Sequence, residues 1–131
     1  MAYLKTNWID GVTPLSATNL NKIEAGVAKG DVVLGTYTGD GAASRTIVLG
    51  FRPSAVVLLT KHGYTGNPSS YQGGGLALDG YPIIEIGGGS VLTIVATGFM
   101  VYYVSAAKII TNGSIADGWG TSNPFRYIAF R

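Results

Sequence analysis

Residues able to do acid, base or nucleophilic chemistry are sparse in this chain and fall in no familiar spacing. The single histidine, His62, stands in Lys61-His62-Gly63-Tyr64, and no Gly-x-Ser-x-Gly elbow occurs anywhere. A Ser-His-acid triad therefore lacks its nucleophile turn, and His62 is expected at a strand end, facing solvent or a receptor. Glycosidase chemistry needs only two carboxyl groups at a set separation. Asp40, Asp79, Glu85 and Asp117 are the candidates once the helical Glu24 and its neighbours Asp10 and Asp31 are set aside. Asp40 and Asp79 each precede glycine, which suits a turn, and Glu85 falls in a strand segment, so no pair shares a purpose. No catalytic residue is assigned, and the chain is expected not to be an enzyme. Without cysteine, zinc and iron-sulfur ligation lack their donors, and no loop has calcium-site spacing, so neither metal nor cofactor is expected.

Residues suited to binding are easier to find. Two segments, 62–72 and 112–123, are rich in Gly, Ser, Asn and Tyr, a composition that supplies adaptable hydrogen bonds and rigid aromatic contact area. His62, Tyr64, Tyr71 and Gln72 lie in the first, Asp117 and Trp119 in the second, and these are the candidate ligand-binding residues. Trp119, between Gly118 and Gly120, either anchors a ligand such as a sugar ring or plugs the base of its loop.

Such loops need a rigid support, and 131 residues suffice for one core. Hydrophobic residues make up 47% and charged residues 12%, yet no apolar run approaches the roughly 20 residues that span a bilayer. Membrane insertion is not expected. Nine basic and seven acidic residues are scattered singly, without a cluster that would track phosphates, which argues against nucleic acid as a partner. The first residues lack a basic segment followed by an apolar one, so no secretory signal is expected.

Asp10-Gly11 predicts a turn, and Ser16 can cap a helix over Ala17–Lys29 closed by Gly30. Leu20, Ile23 and Val27 share one face of that helix, a narrow stripe that suits packing against a few neighbours, either the chain's own β-domain or, in a shared neck, other copies of the chain. The chain thus divides into a lead-in and neck helix, 1–30, and a β-domain, 31–131. Beyond Asp31 short runs of Val, Ile, Thr, Tyr and Phe alternate with Gly, Asn, Asp and Pro, predicting strands near 32–38, 45–50, 54–61, 76–79, 82–86, 91–96, 99–105 and 125–130. The expected fold class is mainly β, an antiparallel β-sandwich preceded by a short N-terminal helix. Gly39-Asp40-Gly41, Asp79-Gly80 and Asn112-Gly113 are expected hairpin turns. Ala55 to Leu59 is continuously apolar and should be central, and Phe99 to Val104 is apolar on both faces, one of which is expected to meet a second chain. Gly73-Gly74-Gly75 and Gly87-Gly88-Gly89 imply flexible or closely approached backbone and are not phosphate loops.

The run Trp8-Ile9-Asp10-Gly11-Val12-Thr13-Pro14-Leu15-Ser16-Ala17, followed by Asn19-Leu20-Asn21-Lys22-Ile23-Glu24, resembles the N-terminal attachment segment of phage and prophage tail proteins of Gram-positive hosts. Gly35-Thr36-Tyr37-Thr38-Gly39-Asp40-Gly41, Arg45 to Val57, Gly98-Phe99-Met100-Val101 and Tyr127-Ile128-Ala129-Phe130-Arg131 are similar to C-terminal domains of tail-fibre and receptor-binding proteins. The resemblance implies a homotrimer that joins other phage tail or baseplate proteins and attaches to a host-surface carbohydrate or teichoic acid. It also implies a place in the virion after synthesis in the host cytoplasm. The alternatives are a purely structural tail component or a small polysaccharide depolymerase. Fibres of this kind often carry a shaft between attachment segment and tip, whereas Gly30 here passes almost directly into the β-domain.

Overall fold

The computed structural model describes residues 7–66, 71–113 and 124–131. The chain divides into two compact units, Met1–Asp31 and Val32–Arg131. In the first, the Asp10-Gly11 turn is tied by the Thr13 hydroxyl, which accepts from the Ile9 amide at 3.0 Å and donates to the Asn7 carbonyl at 3.1 Å. Helix α1, Ala17–Lys29, starts where expected because the Ser16 hydroxyl accepts the Asn19 amide at 3.3 Å, satisfying a donor the first helical turn would leave open. Leu20 and Val27 are 44% and 64% exposed, so the stripe is not closed over. Trp8, Ile9, Val12 and Leu15 are exposed as well. Among the described residues no helix is long and apolar enough to cross a membrane.

The second unit holds strands β1 (Val32–Thr38), β2 (Ser44–Val48), β3 (Ala55–Leu59), β4 (Gly75–Leu78), β5 (Ile83–Ile84), β6 (Ser90–Val95), β7 (Gly98–Tyr102) and β8 (Pro124–Phe130). They form two four-stranded sheets, β1-β8-β3-β4 and β2-β7-β6-β5, with antiparallel pairing throughout. The inner faces share one core. Val56, Leu58, Ala77 and Ala129 from the first sheet and Leu92, Phe99 and Val101 from the second are wholly buried and belong to one cluster, a sandwich-like arrangement. Phe99 holds its centre, edge-on to Tyr127 at 5.1 Å and to Tyr37 at 6.3 Å, while Tyr37 stacks on Phe125 at 5.2 Å. Burying each such side chain contributes about 1.5–3 kcal/mol, which lets a charge-poor chain without disulfides hold together.

The strands fall near their expected places, and β3 is central, between β8 and β4. Other expectations need correcting. Gly39-Asp40-Gly41 is not a hairpin, because β1 and β2 lie in different sheets and the segment crosses between them. Nor is Asn112-Gly113 the centre of one: the Gly113 amide donates to the Ile110 carbonyl at 2.8 Å, so Thr111 and Asn112 are the inner residues of that turn. Only Ile83–Ile84 of the expected 82–86 strand pairs, with a register break between the two, and Glu85 belongs to the following turn, its amide bonded to the Gly89 carbonyl at 2.8 Å. In β7 the inner residues Phe99 and Val101 are buried. The outer Tyr102 hydroxyl sits 3.2 Å from Thr93 Oγ1 and 3.9 Å from Met100 Sδ, so neighbours on its own sheet partly cover that face.

Candidate functional site

The first candidate loop begins where β3 ends. Lys61 and His62 occupy the tip of a turn closed by the Gly63 amide on the Thr60 carbonyl at 2.9 Å. The Tyr64 amide donates to Thr60 Oγ1 at 3.1 Å, and Tyr64 is 60% exposed. His62 and Tyr64 therefore share one short exposed turn. Further along, Gly73 returns its amide to the Thr65 carbonyl at 2.8 Å, and Gly66 bridges Gln72 antiparallel. Gly74 explains its own position, since a Cβ there would stand 2.1 Å from the Leu58 carbonyl oxygen.

Gln72 also ties this loop to the second one. Its amide donates to the Lys108 carbonyl at 2.8 Å, and its carbonyl accepts the Ile110 amide at 3.0 Å. Residues 104–110, which lead into the second candidate loop, are thereby fixed beside the root of the first. Lys108 takes a left-handed conformation, φ 56°, the one non-glycine residue to do so among those described, and such a conformation costs an L-residue about 1–2 kcal/mol. Its ammonium lies 5.7 Å from the Tyr71 ring centroid, within reach of the ring's negative face. Sequence reading passed over Lys108, because nothing in Ala106-Ala107-Lys108 signals a left-handed residue. Asp117 and Trp119 lie outside the described residues.

Beneath this end sits a buried polar clamp. Thr111 and Asn112 are fully buried. The Thr111 hydroxyl accepts the Tyr102 amide at 2.8 Å and donates to the Val91 carbonyl at 2.7 Å, and its carbonyl accepts the Tyr37 hydroxyl. Burial pushes the Tyr37 phenol well above its ordinary pKa. The Asn112 side-chain amide donates to Asp40 Oδ1 at 2.7 Å and to the Ala42 carbonyl at 2.8 Å, while the Asn112 backbone carbonyl accepts the Gly41 amide at 2.9 Å. Gly39 is required here, since a Cβ would stand 2.1 Å from the Gly113 carbonyl oxygen. The β1–β2 crossing and the root of the second loop are thus one hydrogen-bonded unit.

Two of the candidate carboxylates, Asp40 and Asp79, are committed to such structural bonds. Asp40 accepts from the Ala42 amide at 2.9 Å and from Asn112, with Arg45 at 3.9 Å. The Ala42 amide first, then Asn112 and Arg45, hold its pKa below the ordinary carboxylate value. Asp79 is gripped by the Arg52 guanidinium, with Nε 3.0 Å from Oδ2, which lowers its pKa. A glycosidase acid must be raised instead, so both shifts run against that use.

A second feature lies on the outer face of the β1-β8-β3-β4 sheet: a hollow of about 440 Å³ lined by Leu34, Gly35, Thr36, Val57, Leu59, Arg126, Tyr127 and Ile128. None of the described candidates His62, Tyr64, Tyr71 and Gln72 lines it, and nothing in the strand pattern distinguished this outer face from the other. A scan against protein-family models finds no match, and searches of curated proteins and of solved structures return none either.

Proposed function

We propose that this chain is a non-catalytic attachment module of the tail-fibre type, which assembles as a homotrimer through its neck helix and contacts a host-surface glycan or cell-wall polymer with the loop end of its sandwich. The observation that carries the reading is the pair of backbone hydrogen bonds joining Gln72 to Lys108 and Ile110, which sets the chain leading into the second Gly-rich segment beside the root of the first. His62, Tyr64, Tyr71 and Gln72 are then contact residues, joined by Lys108, whose charge suits an anionic polymer such as teichoic acid. Asp117 and Trp119, in the second segment, complete the proposed set. The exposed Leu20 and Val27 stripe supports assembly, since a helix of 13 residues is marginal alone, and three copies convert weak single-site binding into avidity.

Sedimentation with purified Gram-positive cell walls tests the binding half. The protein should co-sediment, and Tyr64→Ala combined with Trp119→Ala should weaken binding at least about fivefold, the usual floor for anchor residues, with melting unchanged. Absence of wall binding by an intact assembly would select a purely structural tail component. Release of soluble sugar from the walls would select a depolymerase.

A further inference from the structure

Asn112-Gly113 is the one place in the chain where asparagine precedes glycine. The pairing carries a chemistry of its own, because a glycine nitrogen, with no Cβ beside it, can swing onto the carboxamide carbon of the preceding side chain. Asn67 and Asn123 precede proline, whose nitrogen has no proton to give up, and Asn7, Asn19 and Asn21 precede the bulky Trp8, Leu20 and Lys22. In the reaction the Gly113 nitrogen bonds to Asn112 Cγ and loses its proton, and the side-chain nitrogen takes up a proton and leaves as ammonia. Water then opens the resulting imide at either carbonyl. One opening leaves aspartate, and the other leaves isoaspartate, whose main chain runs through the side-chain carbon and is longer by one atom. One water is consumed and one ammonia released, and nothing is oxidised or reduced.

In the folded chain every group this reaction needs is engaged. Asn112 is fully buried. Its Nδ2 donates to Asp40 Oδ1 at 2.7 Å and to the Ala42 carbonyl at 2.8 Å, and its Oδ1 accepts the Asp40 amide at 3.3 Å. The Gly113 amide donates to the Ile110 carbonyl at 2.8 Å. The nitrogen that must leave is thus held by two acceptors, and the Asp40 carboxylate beside it, kept ionised by the Ala42 amide first and Asn112 next, has no proton to lend.

We infer that Asn112-Gly113 is a latent modification site, silent while the clamp is closed and self-converting when it opens, and that the conversion releases the loop root in one direction only. The products do not fit the clamp. An aspartate at 112 offers oxygen where Asp40 and the Ala42 carbonyl both need a donor, and two ionised carboxylates sharing one site repel. An isoaspartate lengthens the chain where Gly39 packs so tightly that a Cβ on it would stand 2.1 Å from the Gly113 carbonyl oxygen. The β1–β2 crossing and the root of the second loop, joined through Asn112, then part. The ligand of the loop end has no role in this inference, which stands or falls apart from the proposed function.

The test incubates the full chain in mildly alkaline buffer and follows its tryptic peptide 109–126 by mass spectrometry, reading the mass gain that marks exchange of an amide for an acid. Asn112 should deamidate at least about tenfold more slowly in the native chain than in the synthetic peptide 109–126, since only the opened state reacts. Equal rates would overturn the inference. Asp40→Ala removes one acceptor and should raise the native rate at least about fivefold, the equilibrium worth of one lost hydrogen bond. Arg52→Ala, which breaks the ion pair with Asp79 and leaves the clamp alone, should not. If both variants raise the rate equally, general stability guards the site and the clamp does not. The one-way step is read on Asn112→Asp, the aspartate product made directly. Its amides in 39–43 and 104–113 should exchange with solvent at least about tenfold faster than in wild type, with β3 and β7 unchanged. Exchange as slow as in wild type would show the clamp closing over the product, and loss of protection throughout the sandwich would show that the clamp is no separate unit. Either result overturns the one-way release.

Discussion

The two sheets bury their inner faces in the same core around Phe99 yet differ outside, where one shows Val32, Leu34, Leu76 and Leu78 and the other mixes Ser44 and Thr46 with the exposed Val48 and Ile84 and a partly covered Met100 and Tyr102. A monomer gains nothing from that asymmetry, since exposed apolar rows invite association. The difference separates what holds the unit together from what the unit holds on to. Inner-face residues determine folding, and on the proposed reading the loop end over the Thr111–Asn112 clamp is what meets a ligand.

The largest effect expected from this division is on the inner face. Phe99→Ala should cost about 3–5 kcal/mol in urea unfolding, as truncation of a buried aromatic usually does, whereas Leu34→Thr should stay within about 0.5 kcal/mol in the dissociated chain. Equal losses would erase the distinction between the faces. Next comes the clamp: Asn112→Ala removes the side-chain donor to the Asp40 carboxylate and the Ala42 carbonyl, and should cost about 1–3 kcal/mol. A cost below about 0.5 kcal/mol, the level of an ordinary surface change, would mean the loop root is not fixed there.

Smaller and opposite in sign is Lys108→Gly, which relieves the left-handed conformation and should raise stability by up to about 1 kcal/mol. It should also weaken binding to an anionic wall polymer, and stronger binding would count against a role for that charge. The smallest effect is on pH dependence. Asp40 and Asp79 both have folded pKa values below the ordinary 3.8, so their contribution is fully present above that value and is lost as pH falls through the folded values. Tm should therefore decline below about pH 4, less steeply in Asp40→Asn than in wild type. Identical acid slopes would remove Asp40 from the clamp's electrostatics.

Much of this architecture was readable from residue order. Alternation located the strands, Ser16 and Gly30 marked the ends of α1, and the unbroken apolar run at 55–59 put β3 in the interior. The loops hid more, because their conformations depend on contacts distant in sequence. Asn112-Gly113 has the composition of a hairpin turn, but Asn112 is turned inward by Asp40 and Ala42, some seventy residues earlier. The tight β6–β7 connection at Ala96-Thr97, between the paired Val95 and Gly98, carries no Asn-Gly signal at all. Which strands share a face is likewise a property of topology: Leu34 and Leu76 become neighbours across Ile128 and Val57 only once the order β1-β8-β3-β4 exists.

Hydrogen exchange of the full chain, with and without purified cell-wall polymer at the same state of assembly, tests the proposed binding end most directly. The account predicts added protection in peptides covering 60–73 and 104–123, with none in β1 or β4. Protection confined to the β1-β8-β3-β4 sheet, with the loop end unchanged, would contradict it.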